Sequence, residues 1–219
     1  MRIQELKLAT TCSLTTLADF YAKLLDHAPI EQTDKKLAFQ VGDSLLTFNY
    51  VQSDSAMRYH FAINIPENQF DLAKEWIVSH VPLAQSDSGE DTFYSENWDA
   101  DSLYFYDPAG NILELIARHT LENASDADFS SQSLLNISEI GIASDDVAAQ
   151  VRDIQTCTGA THYRWSGNPA FTPVGDEHGL FIVVERGRIW FPDTGVAAEH
   201  LPVTAVVEND GRVTTLIFP

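Results

Sequence analysis

One carboxylate in the sequence is placed where it could do chemistry. Glu114 lies between Ile112 and Ile116 in the segment LYFYDPAGNILELIAR, residues 103–118. Side chains of a strand alternate between two faces, so Glu114 shares its face with the two isoleucines. If that face is covered, the ionised carboxylate needs a metal ion or a hydrogen-bonded partner, because a bare buried carboxylate takes up a proton. If the face is open to water, Glu114 is a solvated strand residue.

Two further polar residues, Glu5 and His60, occupy comparable places in the chain. Each lies on the first strand of a unit that reads strand, helix and then further strands. In both strands the large apolar residues take the opposite face. This pattern is typical of a sheet that has helices on one side and a cavity on the other. The repeat of the unit indicates a modular fold.

The elements that position these residues follow from periodicity and turn chemistry. Ser13 is a helix N-cap, and Pro108, Gly110 and Asn111 predict a tight turn before the strand of Glu114. The predicted strands of this part of the chain are 3–10, 36–41, 45–51, 59–65, 93–98, 103–106 and 112–118, with helices from Ser13 to Pro29 and over 67–81.

A second region follows an acidic, Ser-rich segment at 119–133, which reads as a linker. Its first strand, 137–143, places Glu139 as the earlier strands place Glu5 and His60. A helix capped by Asp145 or Asp146 follows, with hairpins predicted at 179–191 and 203–218. The sequence thus predicts a domain of two modules at 1–118 and a partial third module at 134–219.

Bulk composition restricts the function. The 219 residues are 44% hydrophobic and carry a net charge of −19, which argues against nucleic acids and anionic membranes as partners. The charge also repels anionic substrates, unless some of the eight arginines are focused in a site. Two cysteines form no disulfide framework, and no signal peptide or membrane-spanning run is visible, so a cytoplasmic location is expected.

The paired units and the segment DPAGNILELI resemble the vicinal oxygen chelate superfamily, in which DP-x-G-N-x-x-E-L closes a βαβββ module. Glyoxalase I, bleomycin-resistance proteins, fosfomycin-inactivating transferases and extradiol dioxygenases belong to it. The resemblance implies an α+β fold of paired modules, with U-shaped mixed sheets around a cavity and helices on the outer face. It implies a divalent metal held by Glu5, His60 and Glu114.

The implied ligands are chemically reasonable for a metal. One imidazole and two carboxylates suit Zn²⁺, Ni²⁺, Mn²⁺ or Fe²⁺ and leave positions for substrate. Such an ion acts as a Lewis acid on paired substrate oxygens. Lys7 shares the open face of its strand with Glu5, and an ion pair between them would remove Glu5 from the metal set. Extradiol enzymes need two histidines and one carboxylate, which counts against ring cleavage.

Other candidate residues allow two interpretations each. Tyr104 and Tyr106 either orient substrate beside Glu114 or form an aromatic pair that supports the sheet. The tripeptide 176–178, Asp-Glu-His, either binds a ligand or forms a polar turn between strands. The region around it, VGDEHGLFIVVERGRIWFP, resembles bacterial glyoxalase-like proteins of unassigned substrate. The third module lacks a carboxylate on its last strand, so a second metal site of the same type is not expected.

The leading hypothesis is a metal-dependent lyase or isomerase of the glyoxalase-like group, acting on a small oxygen-bearing substrate. In it Glu114 and His60 hold the metal, and Glu5 is the third ligand or the general base. The alternative is a metal-free protein that sequesters a small molecule, a cationic one given the net charge. Ring cleavage is a third possibility. The third module pairs either within its own chain or with a second subunit in a homodimer.

Overall fold

The chain contains thirteen strands, three α-helices and one short 3-10 helix, Ser131–Ser133, and the computed structural model describes all of residues 1–219. The predicted α+β fold class is confirmed. The helices are α1 (Leu14–Leu25), α2 (Phe70–Val78) and α3 (Val147–Thr158). The strands are β1 (Arg2–Thr10), β2 (Glu31–Gln32), β3 (Lys36–Val41), β4 (Ser44–Tyr50), β5 (His60–Ile65), β6 (Phe93–Ser95), β7 (Ala100–Tyr106), β8 (Ile112–Arg118), β9 (Asn136–Ser144), β10 (Phe171–Asp176), β11 (Gly179–Glu185), β12 (Val203–Asn209) and β13 (Arg212–Phe218).

The strands form two curled mixed sheets. The first has six strands in the order β13-β12-β1-β4-β3-β2, and the second has seven in the order β10-β11-β9-β5-β8-β7-β6. Three parallel pairs recur, namely β1 with β4, β5 with β8, and β9 with β11. Parallel neighbours need a crossover connection, and each of these connections contains one helix. The chain therefore repeats one strand–helix–strands module three times.

Both sheets turn one face towards a shared core. Leu6 of β1, Phe61 of β5 and Leu113 of β8 are fully buried in it, together with apolar residues of all three helices. The removal of this apolar surface from water is the main stabilising contribution. The opposite face of the seven-stranded sheet bounds a cavity. None of the three helices is long and apolar enough to span a bilayer.

Local chemistry accounts for the helix boundaries. The Ser13 hydroxyl accepts a hydrogen bond from the Thr16 amide at 3.4 Å, and the Asp146 carboxylate accepts one from the Ala149 amide at 2.9 Å. Each satisfies an amide that the first turn of a helix leaves free. α3 ends at Gly159, whose φ of +75° suits a residue without a Cβ atom.

One predicted hairpin is wrong. Residues 188–191 were expected to pair with β11, but β11 lies between β10 and β9, so both of its hydrogen-bonding edges are already occupied. The polar residues 176–178 form the turn from β10 to β11, with Asp176 opposite Gly179. Residues 186–202 instead form a long loop. The hairpin of β12 and β13 is confirmed.

The predicted division into a domain at 1–118, a linker at 119–133 and a partial module at 134–219 stays a prediction. Strand pairing does not follow that division, because each sheet draws strands from both sides of the linker. β5 of the second module pairs with β9 of the third, and β1 of the first module pairs with β12. The second and third modules therefore share one sheet and one cavity.

Candidate metal centre

Three side chains that could hold a metal ion converge on the cavity face of the seven-stranded sheet. They are His60 of β5, Glu114 of β8 and Glu139 of β9, and their donor atoms all lie within 4.8 Å of one another. The His60 Nε2 atom is 3.6 Å from the Glu114 Oε2 atom. All three residues are buried.

Strand register explains why these three meet. β5 lies between β8 and β9, and Ala62 of β5 is opposite both Glu114 and Glu139. Residues opposite each other in a sheet project to the same face, as do residues two apart in one strand, so both carboxylates join His60. The Ala62 side chain is a methyl group, which leaves the space between the carboxylates open.

The turn that the sequence predicts sets the start of β8. The buried Asp107 carboxylate accepts hydrogen bonds from the Ala109 and Asn111 amides at 2.9 and 3.0 Å and from the Tyr21 hydroxyl at 2.9 Å. The Asn111 side-chain oxygen accepts one from the Tyr59 amide at 2.9 Å. The DPAGN segment thus fixes the first residues of β8 next to Tyr59, which precedes His60.

The His60 ring is oriented as a metal ligand requires. Its Nδ1 atom lies 3.3 Å from the Ile112 carbonyl oxygen, so Nδ1 carries the hydrogen and donates it there. The lone pair of Nε2 then points towards Glu114. Burial lowers the pKa of His60 to about 4, and the hydrogen bond to Ile112 opposes this shift. The imidazole is therefore neutral at pH 7 and free to bind a cation.

The two carboxylates are held in an environment that favours a cation. Burial raises the pKa of Glu114 well above its usual value, and the neighbouring charge of Glu139 raises it further. Burial also raises the pKa of Glu139, while the Arg118 guanidinium opposes that effect. Two ionised carboxylates in a low dielectric repel each other and lack solvation, so a positive charge between them stabilises both.

Arg118 supplies part of that charge from the end of β8. It is fully buried, its Nη2 group donates to the Glu139 Oε1 atom, and its Nε group donates to the Asn64 side-chain oxygen at 3.2 Å. The guanidinium also lies over the Trp98 ring, 5.3 Å from the centroid. Its Nη1 group has no hydrogen-bond partner. Arg118 holds Glu139 through one oxygen and leaves Oε2 for another partner.

The donor set fits a divalent metal ion. One neutral imidazole nitrogen and two carboxylate oxygens, each on a rigid strand, suit a borderline cation such as Zn²⁺ or Mn²⁺. The three donor atoms lie within 4.8 Å of one another. Small side-chain shifts would therefore bring each of them to the distance of about 2.0–2.2 Å at which such an ion is bound. His60, Glu114 and Glu139 could therefore hold a metal.

Glu5 lies elsewhere. It is on β1 in the six-stranded sheet, its carboxylate is 3.1 Å from the Lys7 ammonium, and the Thr47 hydroxyl is 3.4 Å away. The ion pair with Lys7 is the arrangement that the sequence offered as the alternative to metal binding. The structure thus brings His60 and Glu114 together with Glu139, whereas Glu5 lies in the other sheet and pairs with Lys7.

The two predicted tyrosines also differ. Tyr104 is buried in the cavity, opposite Glu114 in the sheet, with its hydroxyl 3.3 Å from that of Ser102. Both hydroxyls lie close enough to Glu114 to favour its charged form. Tyr106 is on the same face but at the end of β7, where it is partly exposed and does not line the cavity.

The cavity above the carboxylates has a volume of about 470 Å³. Its walls are largely aromatic. Trp190, from the loop 186–202, packs beside His60 with ring centroids 5.1 Å apart and covers Gly141, where a Cβ atom would lie 2.4 Å from the indole. The aromatic and cationic residues of the lining are Phe93, Tyr94, Trp98, Tyr104, Phe171, Trp190, Phe191 and Arg188.

No protein-family model matches the sequence, and no curated protein is significantly similar to it. Solved structures with the same architecture do exist. A putative dioxygenase from Bacillus subtilis subsp. subtilis str. 168 superposes with a TM-score of 0.59 at 16% identity, over 84% of this chain and 63% of its own. Glyoxalase I from Zea mays superposes with a TM-score of 0.53 at 13% identity, over 84% and 66%. The chain has the fold of the vicinal oxygen chelate superfamily. It spans less than two thirds of either protein's length.

Within the vicinal oxygen chelate fold, the site here is built from the second and third modules of the chain. Glu139 and Arg118 are the residues that the sequence reasoning did not assign to it. The signal for Glu139 was its place on an opening strand, equivalent to that of Glu5. The signal for Arg118 was its parity with Glu114, since residues four apart in a strand share a face.

Comparison of the second and third modules shows that the third has no ligand equivalent to Glu114. In the second module Ala62 of β5 is opposite Glu114 of β8, and in the third module Gly141 of β9 is opposite Ile182 of β11. Ile182 therefore occupies the place that corresponds to Glu114, and it lines the cavity. One side of the candidate centre is apolar and offers no protein ligand.

Proposed function

We propose that this protein is a metal-dependent lyase or isomerase that acts on a small molecule with two adjacent oxygens. The observation that carries the proposal is the buried cluster of His60, Glu114 and Glu139 around Ala62, open to a cavity on one side. When bound, a divalent ion would act as a Lewis acid towards those oxygens.

The residues of the chain have distinct roles in this proposal. Glu114 takes up and returns the substrate proton, because its carboxylate lines the cavity beside the other donors of the cluster. The Tyr104 and Ser102 hydroxyls orient the Glu114 carboxylate. Arg118 compensates the charge of Glu139 and keeps its Oε2 atom available. The apolar Ile182 side leaves room for the substrate oxygens.

The donor set favours this chemistry over ring cleavage. Extradiol ring cleavage uses iron held by two histidines and one carboxylate, whereas this cluster has one histidine and two carboxylates. The likeness to the Bacillus subtilis putative dioxygenase concerns the fold and supports no particular reaction.

A second candidate function is metal-free ligand binding, and the Arg118–Glu139 ion pair favours it. With Glu139 paired and the raised pKa of Glu114 promoting its neutral form, the cluster needs no further cation. The cavity would then sequester a ligand without transforming it.

Metal content separates the two functions. Protein purified without chelator is analysed by mass spectrometry for bound metals, alongside Glu114→Gln, Glu139→Gln and the control Glu5→Gln. The proposal expects about one divalent ion per chain in wild type and Glu5→Gln, and a loss of about tenfold or more in affinity in the other two variants. A wild-type protein that takes up no Zn²⁺, Mn²⁺, Ni²⁺ or Fe²⁺ on dialysis would favour the binding protein.

Proton transfer is then tested directly. A panel of small 2-hydroxy ketones is incubated with the metal-loaded protein in deuterated water, and deuterium at the carbon beside the carbonyl group is followed by NMR. Exchange that stops on chelation, and that is also lost in Glu114→Gln at a metal concentration that saturates the variant, supports the proposed role of Glu114. Exchange at the wild-type rate in Glu114→Gln would contradict it.

A further inference from the structure

Arg188 is an arginine of the cavity lining that has no anionic partner. It lies in the loop 186–202 and is exposed, and no carboxylate oxygen comes within ion-pair distance of its guanidinium. By contrast, the neighbouring Arg186 donates to the Asp145 carboxylate at 2.8 Å. Arg188 is the one arginine in the lining of the cavity above Glu114 and Glu139.

The position of Arg188 is defined by an aromatic wall. Its guanidinium carbon lies 5.2 Å from the centroid of the Phe171 ring, and both residues line the cavity. A cation over a ring face is held there by the ring quadrupole while its N–H groups stay available. Phe93 and Phe191, with centroids 4.6 Å apart, form another part of the wall. The cavity therefore combines flat apolar surfaces with one free, planar donor group.

The local charge differs in sign from the charge of the whole chain. With both carboxylates ionised, Glu114, Glu139 and Arg118 together carry one negative charge. A divalent ion would change that to one positive charge, and Arg188 would add another. The net charge of −19 suggested a cationic ligand, but in a low-dielectric cavity the nearest charges decide which ligand is stabilised.

We infer that the ligand is an aromatic carboxylate whose ring packs against the cavity wall and whose carboxylate binds Arg188, with its two adjacent oxygens towards His60, Glu114 and Glu139. Only this last contact rests on the proposed function. The guanidinium fork matches a carboxylate with two parallel hydrogen bonds. A volume of about 470 Å³ accommodates a single ring with a short side chain.

The test compares acids with their isosteric amides by isothermal titration calorimetry. Dihydrocaffeate and its amide carry adjacent oxygens and are titrated under nitrogen into Zn²⁺-loaded protein. Hydrocinnamate and its amide lack those oxygens and are titrated into metal-free protein. Each wild-type titration is repeated with Arg188→Gln and with the control Arg186→Gln.

Wild type and Arg186→Gln are expected to bind each acid about tenfold more tightly than its amide, which corresponds to about 1.4 kcal/mol. In Arg188→Gln the acid weakens by that factor while the amide is unchanged. An equal affinity for acid and amide in wild type, a preference that survives in Arg188→Gln, or no binding of any probe would overturn the inference. If wild type takes up none of Zn²⁺, Mn²⁺, Ni²⁺ and Fe²⁺, the proposed function fails, and the hydrocinnamate pair still decides the role of Arg188.

Discussion

Acidification of the metal-free protein should lower its free energy of unfolding, because His60 is buried as a neutral imidazole. The ring is enclosed by Trp190 and Tyr104, with centroids 5.1 and 6.2 Å away, and its one hydrogen bond is to the Ile112 carbonyl. Protonation would place a charge on Nε2 in these surroundings, where little water can solvate it. The folded state therefore resists a proton that the unfolded chain accepts readily.

The magnitude follows from the pKa of His60, which is about 4 in the folded protein against an ordinary value of 6.5. Because the folded pKa is the lower one, the unfolded state binds more protons between pH 6.5 and pH 4. Stability is thus lost as the pH falls through this window. The loss from His60 alone is about 2 kcal/mol at pH 5 and about 3 kcal/mol below pH 4.

The assay measures the free energy of unfolding by urea at pH 7 and pH 5, in the presence of chelator. Wild type should lose about 2 kcal/mol more than His60→Gln over this interval, because other titrating groups are common to both. His162→Gln, which removes a solvent-exposed imidazole, is the control. NMR of the His60 ring gives the folded pKa directly.

A midpoint at or above 6.5 for His60 would refute the reasoning. It would mean that Glu114, 3.6 Å away, is ionised and stabilises the imidazolium more than burial destabilises it. In that case the urea experiment would show no greater loss in wild type than in His60→Gln.

Three further substitutions test other parts of the structure. Arg118→Met leaves the buried Glu139 without its counter-charge, and chemical denaturation at pH 7 should show a loss of about 3 kcal/mol; a change below about 1 kcal/mol would contradict the buried ion pair. Gly141→Ala places a Cβ atom 2.4 Å from the Trp190 indole. The free energy of unfolding should therefore fall by about 1–3 kcal/mol, and the tryptophan fluorescence should shift. An unchanged spectrum would argue against this packing. Glu5→Gln removes a partly exposed ion pair, so the free energy of unfolding should change by less than about 1 kcal/mol, and a larger loss would assign Glu5 a role that its contacts do not suggest.

Much of the fold could be predicted because its determinants are local. The DPAGN turn, the Ser13 cap and the alternation around Glu114 depend on residues within one or two turns of the chain. The alternation of His60 with the large apolar residues of its strand correctly placed it on the face of the sheet that bounds the cavity, since side-chain direction in a strand has a period of two. The superfamily resemblance of DPAGNILELI is confirmed at the level of the fold.

Which residues join Glu114 in the cluster depends on how distant strands pair, and the alternation of residues within one strand does not determine that. Glu5, His60 and Glu139 all lie on opening strands with the same alternation, so each was an equally good candidate from the sequence. The choice is made by the antiparallel pairing of β5 with β9 and of β1 with β12. The wrong hairpin at 188–191 has the same origin, because which edges of β11 are free depends on β9.

Ala62 lies opposite both Glu114 and Glu139, so the size of its side chain controls whether an ion fits between the two carboxylates. Any larger residue at this position would fill the gap between them while leaving every candidate ligand in place. A chain that once required an ion could thus become one that excludes it, through a position with no donor atom. Comparisons of related chains would then miss the change if they considered only the histidine and the two glutamates.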